Sequence, residues 1–584
     1  MKRLVFFIIL TVCCTIVKGQ SVINSPDNPH FSMKCETGQY LKYKINAKDG
    51  DSKTVTLNGV NGNPENIKKI EIPATVHYRN TDYSVIAINN EAFAGISSLS
   101  TITIPQSVKT IGTKAFFGCS SLKTIKIGGT IEYCGENAFS GTAINKPLYT
   151  GKTLVYYPEN QTEFKINDGT EAVLEYAFSD CKELASIVIP TSVNAIYTNT
   201  FANCEKLESI VVVEGNKTFD SRNNCNAIII TAENKIIRGC KNSTIPNGVK
   251  TIAKTAFANT GISKIEIPNS VTEIEDSAFY NNELVNITIP ESVSQIGASA
   301  FIKNKKLAVV NFNATNCETM DETHPTFEQC MSLTSVNFGD KVKVVPAYSF
   351  KGCTEIRYVT LSNSVEKIGK EAFTGCISLS FIEIPLSVQK VESKVFYNTG
   401  IYEPIYNENM FIYYAGSDTE YKIPEGIKII SETAFYENET LKNIIIPKSV
   451  VRIDDYAFYE TLGIEQLTIP NSVKEIGQNA FKYCTKLKTL NLPNTITTIE
   501  KETFFGCVSM KSINLPTSVE HIGPNILYWC DTLESVTLPK SIKSLDKYAL
   551  NGCGQLKYIY IPKGTMSQFK NMLDPEYHSK LKEK

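Results

Sequence analysis

Cysteine is the residue whose number and spacing could first indicate chemistry in this 584-residue chain, which contains 17 cysteines. Ten of them recur at one position, three residues after a Phe or Leu: Cys119, Cys181, Cys204, Cys330, Cys353, Cys376, Cys484, Cys507, Cys530 and Cys553. Cysteines can form a disulfide framework or bind metal ions. No histidine or second cysteine lies two to four residues from these ten, so the spacing favours no metal site.

Other catalytic residue patterns are missing from the sequence. The five histidines are scattered, and we find no phosphate-binding Gly loop, no H-E-x-x-H, no calcium loop and no G-x-S-x-G. Acidic residues are plentiful, but their spacing places them on solvated faces, although carboxylates distant in sequence can form a glycosidase pair. We therefore expect no catalytic residues, no cofactor and no enzymatic activity.

The elements that position these residues follow a repeat, I-P-x-S-V-x-x-I-G-x-x-A-F-x-x-C-x-x-L-x-x-I, with a period of 23 residues. Its clearest register is a run of prolines spaced by 23: Pro424, Pro447, Pro470, Pro493, Pro516, Pro539 and Pro562. A fixed period of 20 to 30 residues with Leu and Ile at constant offsets predicts a solenoid, in which each coil packs only against its neighbours.

One repeat unit predicts a strand, a turn and a short helical return. Leu490 and Leu492 alternate with polar residues, as in a short strand with one inward face, and Pro493 ends the strand. Glycine follows the inward Ile where we expect the coil to need a positive φ: Gly112, Gly297, Gly369, Gly477 and Gly523. Equivalent residues of stacked coils lie about 4.8 Å apart with parallel Cα–Cβ bonds, whereas a disulfide needs converging Cβ atoms about 3.8 Å apart. We therefore expect the ten cysteines to form a ladder of buried thiols.

These units resemble the BspA-like, treponemal-type leucine-rich repeats, and the resemblance covers roughly residues 85–562. It implies an α/β leucine-rich-repeat solenoid with a parallel β-sheet on one face, short helical or 3-10 returns on the other, and a small β N-terminal cap. Members of the family are secreted or cell-surface proteins associated with adhesion to host proteins, including fibronectin and fibrinogen, and with coaggregation. The resemblance implies no enzymatic activity.

The N-terminus predicts export. Lys2 and Arg3 precede an apolar segment from Leu4 to Val12, and Gly19 offers a cleavage site, so residues 1–19 have the pattern of a signal peptide. A lipid anchor at Cys13 or Cys14 is disfavoured, because Val12 is bulky where a lipobox has a small residue. Later residues contain no transmembrane pattern. The net charge of -1 favours no nucleic-acid partner. We expect a secreted or cell-surface protein, more typical of a bacterium than of a eukaryotic parasite.

Three interruptions divide the repeat and predict hairpin inserts near 145–165, 215–243 and 402–423. In the second, a two-residue turn at Ala232–Glu233 would place Cys225 directly opposite Cys240, which makes a cross-strand disulfide possible; the alternative is two buried thiols. Residues 20–84 predict a β cap, with strands at 40–45 and 54–57, and an atypical first repeat. Residues 563–584 predict a C-terminal cap or tail that protects the last coil.

The outward side chains of the parallel sheet form the surface that we expect to bind a partner. They are mostly Thr, Ser and Asn, with four aromatic exceptions: Tyr358, Phe381, Tyr558 and Tyr560. Exposed aromatics are enriched at protein interfaces, although the last two could instead pack under the C-terminal tail. The sequence thus favours recognition of host extracellular matrix proteins, cell-surface proteins or other bacterial cells. The alternatives are a glycan-binding or scavenging component of an outer surface and a structural spacer.

Overall fold

A computed structural model describes residues 30–46, 53–158, 161–197 and 199–584. The predicted signal peptide, Cys13, Cys14, the beginning of the predicted cap and the turn at Asp49–Gly50 lie outside the described residues. The chain divides into two compact units, Met1–Tyr156 and Tyr157–Lys584.

The first unit contains a β cap and the first coils. Its strands are β1 (His30–Lys34), β2 (Tyr40–Ile45), β3 (Thr54–Asn61), β4 (Lys69–Glu71), β5 (Thr75–Tyr78), β6 (Thr81–Ile88), β7 (Thr101–Ile104), β8 (Thr110–Ile111), β9 (Thr124–Ile127), β10 (Tyr133–Cys134), β11 (Leu148–Thr150) and β12 (Thr153–Tyr156). Strands β1, β2 and β3 are antiparallel, and β3 then pairs in parallel with β6. Leu41, Tyr43, Val55 and Leu57 alternate inward and are fully buried, as the period of two in the sequence predicts.

The second unit is a longer solenoid. Its first strands are β13 (Glu163–Lys165), β14 (Ala172–Val173), β15 (Ser186–Ile189), β16 (Ala195–Ile196), β17 (Ser209–Val212), β18 (Phe219–Asp220), β19 (Ala227–Ile230), β20 (Lys235–Gly239), β21 (Thr251–Ile252), β22 (Glu273–Ile274), β23 (Asn286–Ile289), β24 (Gln295–Ile296), β25 (Val309–Phe312), β26 (Ser335–Phe338), β27 (Val344–Val345), β28 (Tyr358–Thr360) and β29 (Lys367–Ile368). A single 3-10 turn, Arg222–Asn224, precedes β19.

The remaining strands of this unit are β30 (Lys390–Val391), β31 (Ile405–Tyr406), β32 (Met410–Tyr413), β33 (Glu420–Lys422), β34 (Ile429–Ile430), β35 (Asn443–Ile445), β36 (Arg452–Ile453), β37 (Gln466–Thr468), β38 (Glu475–Ile476), β39 (Thr489–Asn491), β40 (Thr498–Ile499), β41 (Ser512–Asn514), β42 (His521–Ile522), β43 (Ser535–Thr537), β44 (Ser544–Leu545), β45 (Tyr558–Ile561) and β46 (Leu581–Glu583). One α-helix, α1 (Met566–Met572), and one 3-10 helix, Pro575–Lys580, lie between the last two strands.

Three hydrogen-bonded ladders join successive coils. The long-strand ladder consists of the strands of the L-x-x-I-x-I segment, such as β25, β26 and β28, which are parallel and in register. The short-strand ladder consists of the two-residue strands that contain the inward Ile, such as β27, β29 and β30. In the return ladder, backbone N–H groups donate to the next coil, as Phe435 does to Ala457 at 2.9 Å. The parallel solenoid expected from the repeat is confirmed.

The returns are short turns. Within one return, the N–H of Ala115 donates to Gly112 and that of Phe117 donates to Lys114, which is 3-10-type bonding. The expectation that glycine supplies a positive φ after the inward Ile was wrong, because the left-handed residues are polar ones such as Lys114 (φ 55°) and Glu371 (φ 52°). Glycine is needed there for close approach: a Cβ on Gly369 would lie 2.5 Å from the backbone nitrogen of Ala347.

The conserved Phe side chains stack along the core, and the cysteine ladder runs beside them. Phe257, Phe279, Phe301, Phe327 and Phe350 are stacked with ring centroids 5.0 to 5.2 Å apart. Each of the ten repeat cysteines donates its thiol to a backbone carbonyl of the preceding coil, over S···O distances from 3.0 Å (Cys204 to Phe178) to 3.7 Å (Cys181 to Tyr157). Where the repeat lacks cysteine, Asn282, Asn304 and Thr461 donate to the equivalent carbonyl. In most coils this position therefore holds a side chain that donates a hydrogen bond to the preceding coil.

No disulfide joins the fifteen cysteines that the structure describes, and all fifteen are buried. Burial raises the pKa of the Cys119 thiol to about 11 and that of Cys204 and Cys376 to about 12. Because a thiol reacts as the thiolate, these groups stay protonated and unreactive at pH 8.

We accordingly expect a thiol reagent at pH 8 to label the folded chain very little. After denaturation the reagent should label fifteen thiols in a chain that lacks residues 1–19. If Cys225 and Cys240 form a disulfide, the number falls to thirteen (15 − 2). Mass spectrometry after alkylation gives the count. Fewer than thirteen labelled thiols would contradict the donor ladder.

Each of the three inserts forms antiparallel strands. β11 pairs with β12, β31 with β32, and β19 with both β18 and β20. In the second unit, the last strand of each insert then joins the short-strand ladder in parallel, since β20 pairs with β21 and β32 with β34. The antiparallel hairpins of the second unit therefore extend this ladder.

The C-terminal segment covers the last coil. β46 pairs in parallel with β45, which places Leu581 beside Ile559. Phe569 of α1 and Tyr577 of the 3-10 helix are buried. The hydroxyl group of Tyr577 donates to the backbone carbonyl of Leu550 at 3.2 Å. These residues protect an edge whose backbone groups would otherwise face solvent.

Candidate functional site

Tyr358 and Phe381 lie on the outward face of the long-strand segments of two successive coils. Their side chains are 68% and 70% exposed, which is among the highest values for large apolar residues in the described part of the chain. The alternation along each segment explains this exposure, because the neighbours Ile382 and Ile384 point into the core.

The two aromatic residues border a groove of about 420 Å³. Its walls are residues 357–361 and 363 of one coil and residues 380–383 and 385 of the next. Val359 and Leu361 are only half-buried, although the equivalent Val336 and Phe338 of the preceding coil are 0% and 4% exposed. The groove therefore exposes apolar side chains that elsewhere belong to the core.

The groove exists because the long-strand ladder is interrupted at this joint. In the preceding joint, the N–H groups of Arg357 and Tyr358 both donate to the carbonyl of Thr334, at 2.9 and 3.0 Å. Among the described residues, no backbone hydrogen bond joins 357–361 to 380–384, and residues 379–385 form no strand. Backbone donors and acceptors of both walls thus remain unpaired, as at the edge of a sheet.

The other two ladders hold this joint together. Lys367 and Ile368 pair with Lys390 and Val391 in the short-strand ladder. In the return ladder, the N–H of Phe373 donates to Val395 at 3.1 Å. The ring centroids of Phe350, Phe373 and Phe396 are 6.1 and 6.0 Å apart, compared with 5.0 Å for Phe279 and Phe301. The coils are therefore spaced more widely at these rings.

Exposed apolar side chains are concentrated near the groove. Six of the seventeen exposed large hydrophobic residues lie within 358–406: Tyr358, Ile377, Phe381, Leu386, Tyr402 and Tyr406. Arg357 and Glu383 add charged side chains to the groove wall. This composition, apolar with a few charges, is typical of a protein-binding surface.

Tyr558 and Tyr560 lie elsewhere, on β45 next to the C-terminal cap. Their rings are stacked 5.8 Å apart, and Tyr558 is 43% exposed. Tyr560 is half-buried, pairs with Lys582 of β46 and has the Lys584 ammonium group 5.0 Å from its ring centroid. The structure therefore separates the four aromatic candidates into two pairs, of which only Tyr358 and Phe381 border a groove.

A second aromatic surface, which the sequence analysis missed, follows the returns. Its members contact one another in series with centroids 5.2 to 5.9 Å apart: Tyr397, Tyr436, Tyr459, Tyr483, Phe505, Tyr528 and Trp529. We call these seven residues the aromatic row. Most are half-buried, and Trp529 is 51% exposed. The repeated aromatic residue directly after the conserved Phe, as in Phe435–Tyr436 and Phe458–Tyr459, was the signal in the sequence.

Cys225 and Cys240 lie near the ends of the β19–β20 hairpin, but not directly opposite each other. A bulge between Ile228 and Ile229 shifts the register, so Ala227 pairs with Gly239, and the turn spans four residues, 231–234. The two-residue turn was therefore wrong. Both cysteines are free buried thiols, and the Cys240 thiol donates to the carbonyl of Asn226 at 3.3 Å. A disulfide between them stays a prediction, which the thiol count above tests.

A carboxyl group with an unusual pKa lies on the return side. Burial, with the nearby carboxylates of Asp455 and Glu392, raises the pKa of Glu432 to about 7. Such a group could transfer protons near neutral pH. The adjacent cavity has a volume of about 10 Å³, enough for roughly one water molecule, so a substrate has no room beside Glu432.

Within the ranges that the structure describes, no group of three or more His, Cys, Asp or Glu side chains could hold a metal ion. In this part of the chain, no helix has the length and apolar character needed to cross a membrane.

The comparison with protein families identifies the repeat. The model of the BspA type leucine rich repeat region matches six times, at residues 86–160, 150–240, 231–354, 322–414, 405–525 and 476–574. The chain belongs to this BspA-type family. The BspA-type matches cover both the regular coils and the inserts. Membership of this family indicates a role in recognition, and proteins of this class are typically non-enzymatic.

Several solved structures of bacterial leucine-rich repeat proteins align with this chain. A leucine-rich repeat protein from Eubacterium ventriosum is 22% identical and aligns over 65% of this chain and 97% of its own, with a TM-score of 0.43. One from Bacteroides ovatus is 19% identical over 93% and 98% of the two chains, with a TM-score of 0.32. A leucine-rich cell surface protein from Faecalibacterium prausnitzii is 21% identical over 94% and 99%, with a TM-score of 0.22. No curated protein matches the chain.

Proposed function

We propose that this BspA-type protein is a non-enzymatic, secreted or cell-surface recognition protein that binds protein partners, either host matrix and cell-surface proteins or proteins of other cells. The interrupted ladder beside Tyr358 and Phe381 carries the proposal. Family membership supports the recognition role, and the cell-surface description of the Faecalibacterium prausnitzii protein supports the location.

The groove favours a protein partner over a glycan. Its walls combine unpaired backbone N–H and C=O groups with half-buried Val359 and Leu361. An extended peptide segment satisfies both features, because its backbone pairs with a strand edge while alternate side chains contact apolar residues. A glycan has no regular array of amide donors and acceptors to pair with such an edge.

Replacing the two groove aromatics should weaken binding to immobilised fibronectin or fibrinogen, the host proteins that adhesins with similar repeats bind. We expect Tyr358→Ala and Phe381→Ala each to raise the Kd about tenfold, because truncating a central interface aromatic typically costs about 1.4 kcal/mol or more. Surface plasmon resonance measures the affinity. Circular dichroism should be unchanged, because both side chains are exposed in the unbound protein.

Two matched variants serve as controls. Tyr558→Ala removes an exposed strand tyrosine outside the groove, and Trp529→Ala removes the most exposed member of the aromatic row. Binding that is lost in Trp529→Ala but kept in both groove variants would move the site to the returns. Retention on a polysaccharide array with no protein binding would support the glycan-binding alternative, and a spacer would bind neither.

A further inference from the structure

Arg238 is a buried cation for which the described residues provide no counter-ion. It lies on β20 and is 4% exposed. Its Nη1 donates to the backbone carbonyl of Ala258 at 3.3 Å, whereas its Nε and Nη2 are buried and have no hydrogen-bond partner among the described residues. Two other arginines are paired, Arg222 with Asp220 and Arg452 with Asp454, both at 2.6 Å. Burying an unpaired charge is costly, so this arrangement requires a physical reason.

The groups nearest to Arg238 do not neutralise it. The thiols of Cys204 and Cys240 are its electrostatic neighbours. Burial raises the pKa of Cys204 to about 12 and also raises that of Cys240, so both thiols are neutral at pH 7. Burial lowers the pKa of Arg238 itself, but a guanidinium group keeps its proton in proteins.

A cavity of about 290 Å³ has Arg238 in its wall. The second insert creates this cavity, because it separates two returns that would otherwise be adjacent, at 199–204 and 255–259. Phe201 stacks on Phe178 and Phe257 stacks on Phe279, and among the described residues no ring contact joins Phe201 to Phe257. The amide of Asn259 donates to that of Asn203 at 3.4 Å and bridges the two returns.

Polar side chains and two alanines line the cavity, and Arg238 is the one charged residue of this lining. Asn203, Asn259, Thr255, Ser277 and Tyr280 all line it. A single cation among amides and hydroxyl groups is complementary to a ligand with one negative charge and further hydrogen-bonding groups. The volume is near the lower end of the range for small-molecule sites, about 300–1,000 Å³.

We propose that Arg238 and this cavity bind the carboxylate group of a small ligand. The two unpartnered atoms, Nε and Nη2, form one edge of the guanidinium group, and that edge donates two parallel hydrogen bonds to the two oxygens of a carboxylate. The carboxylate reaches Arg238 through the cavity, and the guanidinium group turns towards it on binding. The remaining polar side chains contact the rest of the ligand. This site shares no residue with the groove at Tyr358 and Phe381, so it does not depend on the recognition function proposed above.

A carboxylate of this kind occurs on a uronic acid sugar or on an acidic amino acid, and calorimetric titration of the full chain distinguishes the two. The probes are sodium acetate, glucuronate and N-acetyl-aspartate amide, with glucose, chloride and phosphate as controls at equal ionic strength. We expect acetate to bind weakly, glucose and chloride not to bind, and one of the two larger carboxylates to bind more tightly than acetate. Preference for glucuronate assigns a sugar acid, and preference for the aspartate derivative assigns an acidic amino acid.

Variants of Arg238 test the contact directly. Arg238→Gln should weaken carboxylate binding at least about tenfold. Arg238→Lys should also weaken it, because lysine keeps the charge but lacks the two parallel N–H donors of the guanidinium group. Tyr358→Ala, which lies outside the cavity, keeps Arg238 and all of the cavity lining and should bind acetate as the wild type does. Circular dichroism shows whether the Arg238 variants are folded. No carboxylate binding in the wild type, equal binding of phosphate, or unchanged binding in a folded Arg238→Gln variant would overturn the proposal.

Discussion

The Phe458→Ala variant is expected to lose about 3–5 kcal/mol of stability in the coils around it. Phe458 is fully buried, and its ring is stacked between Phe435 and Phe481 at centroid distances of 4.9 and 5.0 Å. Its backbone carbonyl also accepts hydrogen bonds from Thr461 and Cys484. Because each coil of a solenoid is stabilised only by its neighbours, a cavity here weakens two interfaces at once.

Hydrogen exchange measured by mass spectrometry checks this expectation, because it locates the loss of stability. Amides between residues 435 and 484 should exchange much faster in the variant, whereas amides near the C-terminus should change little. Tyr459→Ala is the matched control, since the adjacent ring belongs to the half-buried aromatic row. If Tyr459→Ala destabilised the protein more than Phe458→Ala, the stacked core would not be the main source of stability.

Removing residues 564–584 is expected to make the protein self-associate and to lower its melting temperature. The deletion removes four buried side chains, Phe569, Leu573, Tyr577 and Leu581, and uncovers the apolar surface beneath them. Burial of each such side chain is worth about 1.5–3 kcal/mol. The deletion also leaves β45 without its partner β46, so that unpaired backbone groups of β45 face solvent and can pair with another chain.

A shorter deletion separates the two causes. Loss of residues 581–584 alone removes β46 but keeps α1 and the 3-10 helix. Light scattering should show increased association for both deletions relative to the full chain, and calorimetry should show the larger stability loss for the longer one. Unchanged association in both would mean that the edge of β45 is protected by other residues.

The repeating parts of the fold could be predicted from the sequence because their causes are local. The spacing of Leu490, Leu492 and Phe504 specifies which side chains point inward, and Pro493 specifies where the strand ends. The role of Gly369 was mistaken, because close approach to Ala347 depends on the neighbouring coil, which the sequence of one unit does not contain.

The groove could be predicted only in part. Its aromatic residues, Tyr358 and Phe381, are visible at outward positions of the repeat. The interrupted ladder is not visible, because residues 379–385 match the repeat at Leu379, Ile382 and Pro385. The next coil offers no strand either, because Pro404 lies within the short segment that begins at Ile401 and has no N–H group to donate. Residues 379–385 are therefore left without a paired strand on either side.

Arg238 was missed for a different reason. In the sequence it is one of two charged residues of the hairpin strand Lys235–Gly239, and neither its type nor its spacing distinguishes it from a solvated arginine. The second insert separates the coils around it, and only the folded chain shows that this strand is buried. Long-range packing, which has no counterpart in the local pattern, therefore determines both this site and the groove.

The interrupted ladder also gives the solenoid a defined mechanical weak point. Under tension along the axis of the second unit, the load at a regular joint is shared by three rows of hydrogen bonds. At the joint between residues 357–361 and 380–384 only two rows bear it. Under such a load this joint would open more easily than a joint with three rows, and widening it would expose more of the backbone edge beside Tyr358. A partner bound across both walls would reinforce that joint against the force.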